Sequence, residues 1–186
     1  MTRNVIGIDA SYTCTGVAVF VDGKYRPELS KTISTKPTDG DHVRRASTIA
    51  DSILVTVNKM AELSDVSVFI EDYAYARMTN REVMGELGGI IKYVLRQAHH
   101  GFETLPISTI RKLVTGKGNA KKEEVMLALY KRHGIDIPQH DLADAAAVGI
   151  TGDFIERARA KDAEKAEWLV DVRAAVDSYL KNKRDT

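Results

Sequence analysis

Four acidic side chains, Asp9, Glu71, Asp141 and Asp144, have the residue type and the chain positions to bind hard metal cations. Asp9 and Glu71 each follow a short apolar run, whereas Asp141 and Asp144 open an alanine-rich stretch. Carboxylate oxygens are the ligands that Mg²⁺ prefers, and the bound ion keeps some of its waters. Two such ions about 4 Å apart can activate a water and stabilise the leaving oxygen of a phosphodiester. The four acids therefore predict a two-metal hydrolytic site, provided that the fold brings them together.

The sequence around each acid predicts the element that positions it. The runs ending in Asp9 and Glu71 have strand length, so both are predicted to be buried strands. Asp141 and Asp144 fall on one face of the first turn of a predicted helix, where acids also suit the helix dipole. Taken singly, Asp141 could be an ordinary helix N-terminal acid, Asp9 a turn residue and Glu71 a surface acid. A buried carboxylate without a partner costs several kcal/mol, roughly, so the combination favours a bound cation.

A basic segment precedes the last two acids. Residues 111–132 contain seven basic and two acidic side chains, although the net charge of the whole chain is only +1. The turn TGKGNAKKEEV leads into a predicted helix and would present backbone N–H groups and lysines to phosphate. A solvated basic turn is the alternative, but such a cationic strip is typical of surfaces that bind nucleic acid. The candidate DNA-binding residues of this segment are Arg111, Lys112, Lys117, Lys121 and Lys122.

The segment after Glu71 carries aromatic residues followed by arginines. Tyr73 and Tyr75 could stack on unpaired bases, while Arg77 and Arg81 could hold DNA strands. The alternative is that the tyrosines pack this segment against its own helix. Tyr75 is the better candidate for a base contact, because the predicted loop carries it away from the core.

The order of these motifs produces a specific resemblance to a known family. GID followed by TG, IE followed by an aromatic-containing loop, GKGNAKKEEV and DLADAAAVG occur in that order between residue 4 and about residue 152. In these motifs the chain resembles the RuvC-type Holliday junction resolvases of the ribonuclease H-like and retroviral-integrase superfamily, in a bacteriophage version. The resemblance implies that the four acids are catalytic and bind two Mg²⁺ ions, or Mn²⁺ in their place. It also implies that Lys122 is a catalytic residue that contacts DNA near the scissile bond.

The resemblance further implies a substrate and an assembly. The expected substrate is branched DNA, above all the four-way junction, during recombination, repair and branch resolution before phage DNA packaging. A homodimer is expected, since two symmetric cuts need two sites. No small-molecule cofactor and no membrane contact are expected. A broad branched-DNA or flap debranching endonuclease is the close alternative, and a non-cleaving junction-binding protein or an actin-like ATPase-related domain are alternatives of another class.

The predicted elements form a ribonuclease H-like α/β fold, a central five-stranded mixed sheet flanked by helices. A nuclease domain is predicted at 1–152, and a C-terminal helical extension at 153–186 is expected to pack on the same domain. The eight basic and eight acidic residues of this extension favour packing on protein, either its own domain or a partner helix, over contact with DNA. Strands are predicted at about 4–10, 16–22, 28–35, 66–71 and 102–107, and helices at about 41–62, 79–99 and 123–132.

Composition fits an ordinary globular protein and argues against a membrane-spanning protein and against a cysteine-rich one. The chain has 186 residues, of which 44% are hydrophobic and 28% charged. Its apolar runs fall short of the ~20 residues that span a bilayer, and its N-terminal sequence lacks a signal-peptide apolar region. We therefore expect a cytoplasmic protein of a bacterium or a phage-infected host. The single Cys14 excludes an internal disulfide and a cysteine-rich zinc site.

Overall fold

The computed structural model of the protein describes residues 3–72, 81–160 and 170–184. The strands are β1 (Asn4–Asp9), β2 (Cys14–Val21), β3 (Lys24–Tyr25), β4 (Lys31–Ser34), β5 (Val66–Glu71) and β6 (Phe102–Leu105). The helices are α1 (His42–Ala61), α2 (Arg81–Gln97), α3 (Ile107–Thr115), α4 (Lys122–His133), α5 (His140–Arg159) and α6 (Val170–Arg184). Within these described ranges, no helix combines the length and the apolar character needed to cross a membrane.

The strands form one mixed sheet that brings two of the predicted acids together. Its order is β3-β2-β1-β5-β6, and β4 pairs with β2 as well. β2 is antiparallel to β1, whereas β1 pairs with β5, and β5 with β6, in parallel. Because Ile8 of β1 lies opposite Ile70 of β5, the carboxyl ends of these two strands meet at one edge. Strand pairing alone therefore places Asp9 and Glu71 side by side.

The predicted fold class is confirmed, with a difference in the number of strands. The described residues form a six-stranded sheet, whereas the sequence predicts five strands. The extra strand is β3, a two-residue strand that pairs with the end of β2 after a tight turn. Asp22 and Gly23 form this turn with φ values of 50° and 75°, the left-handed conformation that tight hairpins require. So short a strand has no hydrophobic alternation by which the sequence could reveal it.

Alternate residues of the strands contribute to two apolar clusters on opposite faces of the sheet. Val5 and Phe69 pack in the cluster on the α5 side. Ile6, Ile8 and Ile70 pack in the cluster formed with α1 and α2. This is the period-two alternation of a sheet that is covered on both faces. The carboxyl ends of β1 and β5 therefore lie between two layers of helices, which limits the exposure of the acids at this edge to bulk water.

Helices α3 and α6 complete the α5 side of the molecule. Helix α3 was not among the predicted elements, although its buried residues Ile110, Leu113 and Val114 have helical spacing. Val172 and Val176 of α6 pack against Leu113 of α3. The predicted division after residue 152 falls inside α5, which continues to Arg159. The assignment of domains stays a prediction.

Two glycines of helix α2, Gly85 and Gly89, face open space among the described residues. A Cβ atom added to Gly85 or Gly89 would meet no atom of the described residues within 4 Å. Close packing against the sheet therefore does not explain these two glycines. Tyr93, one turn further along, is 64% exposed. This face of α2 is open in the described part of the chain.

Candidate active site

The backbone of α5 contacts the sheet directly at two glycines. A Cβ atom on Gly7 would lie 2.3 Å from the carbonyl oxygen of Ala145, and one on Gly16 would lie 2.2 Å from that of Asp141. No side chain fits in such a space, because carbon and oxygen atoms in contact stay more than 3 Å apart, roughly. Gly16 pairs with Asp9 across β1 and β2. The contact therefore fixes the first turn of α5, with its acids, beside the end of β1.

Asp9 and Glu71 are partly buried acids whose charges the fold disfavours. Burial raises the pKa of Asp9 from 3.8 to about 7, with a further contribution from the Asp144 carboxylate and an opposing one from Lys122. Burial also raises the pKa of Glu71 from 4.5 to about 8, reinforced by the charges of Asp9 and Asp144 and opposed by Arg111 and Lys122. Desolvation and like charge act together here, so a bound cation would favour the ionised form of both acids near neutral pH. Perturbed acids that share a cleft are typical of functional sites.

Lys122 brings a positive charge to the same place. It is the first residue of α4, and its Nζ lies 2.5 Å from Oδ2 of Asp144. Burial opposes its charge, but the hydrogen bond and the charge of Asp144 outweigh burial and raise the pKa of Lys122. The helix begins here because Glu124 accepts a hydrogen bond of 2.8 Å from the backbone N–H of Lys121, which satisfies a donor of the first turn. The ammonium group of Lys122 therefore stays protonated beside the acids.

Asp141 lies near this group but outside the cleft. Its charge contributes to the raised pKa of Asp9, after burial and Asp144. Burial raises the pKa of the Cys14 thiol at the start of β2, and the nearby Asp141 carboxylate contributes to this rise. Asp141 does not line the cleft that contains the other three predicted ligands. Asp141 is thus within electrostatic reach of the site without belonging to its surface.

One cleft of about 230 Å³ contains the acids and the basic residues together. Its charged lining consists of Asp9, Glu71, Asp144, Lys122 and Arg111. The rest of its wall is apolar and comes from α3, α4 and α5. The α3 part of this wall was not predicted. Its only sequence signal is the helical spacing of the isoleucines and valine in 107–114, which nine residues are too few to make distinctive. The apolar lining residues are Ile107, Ile110, Val125 and Ala147.

The donor set of this cleft fits a hard divalent cation. Three carboxylates supply oxygen ligands, and a cation would relieve the repulsion that raises the pKa values of Asp9 and Glu71. As the side chains stand, no three His, Cys, Asp or Glu residues within 3–72, 81–160 and 170–184 are grouped closely enough to hold a metal ion. The contact between Lys122 and Asp144 is one reason, because it directs Oδ2 of Asp144 towards the ammonium group. Asp144 would have to break its contact with Lys122 in order to bind a metal ion.

The remaining basic candidates of the described segments do not line the cleft. Lys117 is 3.9 Å from Glu124 and its side chain is 71% exposed, so this ion pair leaves it accessible. Lys121 immediately precedes α4, and Lys112 lines a separate groove between α3 and α6. Four further candidates, namely Tyr73, Tyr75, Arg77 and the side chain of Arg81, lie outside the described residues.

The fold and the cleft together define a class of protein. A mixed sheet with acids at the carboxyl ends of β1 and β5, joined by an acid from the first turn of α5, is a ribonuclease H-like arrangement. The chain belongs to the crossover junction endodeoxyribonuclease RuvC family, whose sequence profile matches residues 5–152. The match includes all four predicted acids and Lys122.

Individual relatives support this membership over parts of the chain. The crossover junction endodeoxyribonuclease RuvC of Synechococcus sp. strain CC9311 is 30% identical over 87 residues, which are 46% of this chain and 54% of the relative. The protein of the same name from strain WH7803 is 29% identical over 87 residues, with 46% and 56% coverage. The chain thus spans about half the length of the curated relatives it matches.

Solved structures agree with the fold. The Thermus thermophilus RuvC structure superposes with a TM-score of 0.71 at 23% identity, covering 84% of this chain and 96% of that one. T. thermophilus RuvC in complex with Holliday junction substrate gives a TM-score of 0.68 at 22% identity, with the same coverage. At this level of identity the two structures support the architecture described above.

Proposed function

We propose that the protein is a metal-dependent endodeoxyribonuclease that hydrolyses phosphodiester bonds in Holliday junctions. The observation that carries the proposal is the single cleft that gathers Asp9, Glu71 and Asp144 with two basic side chains, in a chain of the RuvC family. Carboxylates alone would repel a DNA backbone. Lys122 and Arg111 offset this repulsion and suit the phosphate that must enter between the acids.

The residues of the cleft divide into metal ligands and phosphate contacts. Asp9, Glu71 and Asp144 would hold two Mg²⁺ ions, with Asp141 as a fourth ligand once its side chain turns into the cleft. The ions would supply an activated water and charge stabilisation at the leaving oxygen. Lys122 would neutralise charge that develops on the scissile phosphate. The family is one of divalent-metal-dependent nucleases, whereas the choice of two Mg²⁺ ions over Mn²⁺ is part of this proposal.

A homodimer follows from the substrate that we propose. A four-way junction has approximate twofold symmetry and needs two coordinated cuts, so two copies of one site would face it. The open face of α2 around Gly85 and Gly89, beside the exposed Tyr93, supports a contact between helices of two copies. The bacteriophage origin and the cytoplasmic location stay predictions.

The test compares DNA structures side by side. Labelled four-way junction, Y-fork, flap and linear duplex are incubated with the wild type, with Asp9→Asn and with the control Asp51→Asn, in Mg²⁺, in Mn²⁺ and in EDTA. Asp51 is exposed on α1, so its substitution should preserve cleavage. Paired symmetric nicks in the four-way junction alone, lost in EDTA and in Asp9→Asn, are expected.

Each other outcome replaces part of the proposal. Equal cutting of forks and flaps would make the protein a broad debranching nuclease. Tight junction binding without cutting in either metal would make it a junction-binding protein. Full cleavage by Asp9→Asn would refute the assignment of the site.

A further inference from the structure

A second polar groove lies on the opposite side of α3 from the cleft. It measures about 190 Å³ and is bounded by α3, α6 and the turn that leads to α4. Its polar lining differs from that of the cleft, because no carboxylate of the described residues contributes to it. Hydroxyl groups, one amide and one ammonium group face a common space instead. The lining residues with this chemistry are Ser108, Thr109, Lys112, Ser178 and Asn182, together with Tyr179, whose hydroxyl donates a hydrogen bond to Glu103.

Helix α6 forms its side of the groove because it is held on the domain by two kinds of contact. Its apolar residues Val172 and Val176 pack on Leu113 of α3. Glu103 of β6 then accepts hydrogen bonds from Tyr179 and from Lys183, the latter at 2.6 Å. These contacts set the rotation of α6 about its axis. Ser178 and Asn182, four residues apart and thus on one face of the helix, are turned towards Lys112 as a result.

The turn between α3 and α4 forms the floor of the groove. A Cβ atom added to Gly118 would lie 3.2 Å from the carbonyl oxygen of Ser108 and 3.9 Å from Cβ of Lys112. The backbone of the basic turn thus lies directly against the first half of α3. Lys112 therefore borders both the basic turn and α6, which makes the groove continuous with the cationic strip of residues 111–132.

Helix α3 separates this groove from the cleft. Ile107, Ile110 and Arg111 line the cleft, whereas Ser108 and Lys112 line the groove. The two spaces are thus one helix apart, a distance of about 10 Å. Each strand of duplex DNA carries one charge per 3.4 Å of helix axis, roughly, so about three nucleotides span this distance.

We propose that the groove binds a backbone phosphate of the DNA strand that is being cut, about three nucleotides from the scissile bond. Hydroxyl and amide donors with one ammonium group, and no carboxylate, are the chemistry that a phosphodiester requires. The inference rests on the proposed function for its substrate and adds α6 to the DNA-binding surface. It also assigns to Ser178 and Asn182 a role in holding the strand in register.

The first experiment places a negative charge in the groove. Asn182→Asp changes the charge by one unit with almost no change in size. Arg173→Gln is the matched control: it lowers the charge by the same amount on the flank of α6 nearly opposite Asn182, since nine residues at 100° each separate them by about 180°. Junction affinity is measured in EDTA over a range of salt concentrations, and cleavage at saturating junction is measured in Mg²⁺.

We expect Asn182→Asp to bind the junction about tenfold more weakly, because it loses a donor and gains repulsion towards the phosphate. Arg173→Gln should lose less than threefold in affinity and keep the wild-type cleavage rate at saturation. Equal losses in the two variants would overturn the proposal, because a general charge effect would then explain them. Thermal unfolding checks that both variants remain folded.

The second experiment locates the phosphate on the DNA. Uncharged methylphosphonates replace single phosphates at one to six nucleotides on either side of the cut, and affinities are compared for the wild type and Lys112→Gln. A loss confined to one or two positions near the third nucleotide, and absent in Lys112→Gln, is expected. The same loss in both proteins would refute the contact.

The proposal for the groove and the proposed nuclease function can fail independently of each other. If the wild type binds junctions but never cuts them, the nuclease assignment fails, yet the affinity measurements in EDTA still test the groove. If it cuts and Asn182→Asp matches Arg173→Gln, the groove fails and the nuclease assignment stands.

Discussion

Replacing Asp9 by asparagine should stabilise the protein when no divalent metal is present. The carboxyl group of Asp9 has an ordinary pKa of 3.8 and a folded-state pKa of about 7, mainly because burial disfavours its charge. Between these values the folded protein holds a proton that the unfolded chain has released. Stability therefore falls as the pH rises from about 4 to about 7, and the loss is complete above that pKa. An asparagine side chain at this position carries no charge and avoids this loss.

The size of the effect follows from the two pKa values. The difference between 3.8 and about 7 corresponds to about 4 kcal/mol, at roughly 1.36 kcal/mol for each tenfold change in proton affinity. Relaxation around an ionised Asp9 and its coupling to Glu71 reduce this value. We expect Asp9→Asn to raise the free energy of unfolding by about 2 to 4 kcal/mol at pH 8 and by almost nothing at pH 4.

Urea denaturation in EDTA at pH 4, 6 and 8 measures this difference directly. Asp51→Asn, an exposed position on α1, is the control and should show no comparable dependence on pH. Adding Mg²⁺ at pH 8 should stabilise the wild type and leave Asp9→Asn unchanged or nearly so, because the ion offsets the charge that only the wild type carries. If Asp9→Asn were less stable than the wild type at pH 8, the reasoning from burial would be wrong.

Two further predictions concern Gly16, which lets α5 approach the sheet at the site, and Glu103, which holds α6 beside the groove. Gly16→Ala should lower the free energy of unfolding by about 3 kcal/mol or more in urea denaturation and abolish cleavage, because its Cβ would meet the carbonyl oxygen of Asp141 at 2.2 Å. Gly101→Ala is the control, since a Cβ at Gly101 would meet no atom of the described residues within 4 Å. Equal stability of the two variants would contradict the close contact at Gly16. Glu103→Gln should lower the free energy that holds α6 on the domain by about 1 to 3 kcal/mol, because Tyr179 and Lys183 lose a charged acceptor. Amide exchange should become faster in 172–183 and stay unchanged in β1. Burial opposes the charge of Glu103, but hydrogen bonds from Lys183, Tyr179 and Arg159 lower its pKa, so this contribution should persist above pH 4.5 and be lost on acidification. Unchanged exchange in Glu103→Gln would show that apolar packing alone holds α6.

The parts of the fold that could be predicted are those with a strong hydrophobic period. β1, β5, α1 and α2 occur within two residues of their predicted limits, and the predicted convergence of Asp9 and Glu71 follows from the pairing of two such strands. β3 could not be predicted, because two residues show no period. α3 was not predicted, because its nine residues make too few turns for the apolar spacing of Ile110 and Leu113 to be distinctive.

The details of the site depended on contacts that a sequence does not express. Lys122 was predicted as a phosphate contact, but its ion pair with Asp144 requires α4 and α5 to meet, which no local pattern encodes. Asp141 and Asp144 share one helical face, yet only Asp144, which pairs with Lys122 of α4, lines the cleft. The balanced charge of residues 153–186 indicated a helix that avoids DNA. Charge balance averages over the helix, whereas the face of α6 towards Lys112 contains hydroxyl and amide groups.

The contact between α5 and the sheet also limits how the site can be altered. Main-chain atoms set the separation at Gly7 and Gly16, so no smaller residue exists that would let the helix approach further. Every substitution at these two positions can only push the acids of α5 away from Asp9. Substitutions at these positions can therefore only increase the distance between the carboxylates. The site can be widened for a larger cation, but bringing the carboxylates closer together needs a different backbone.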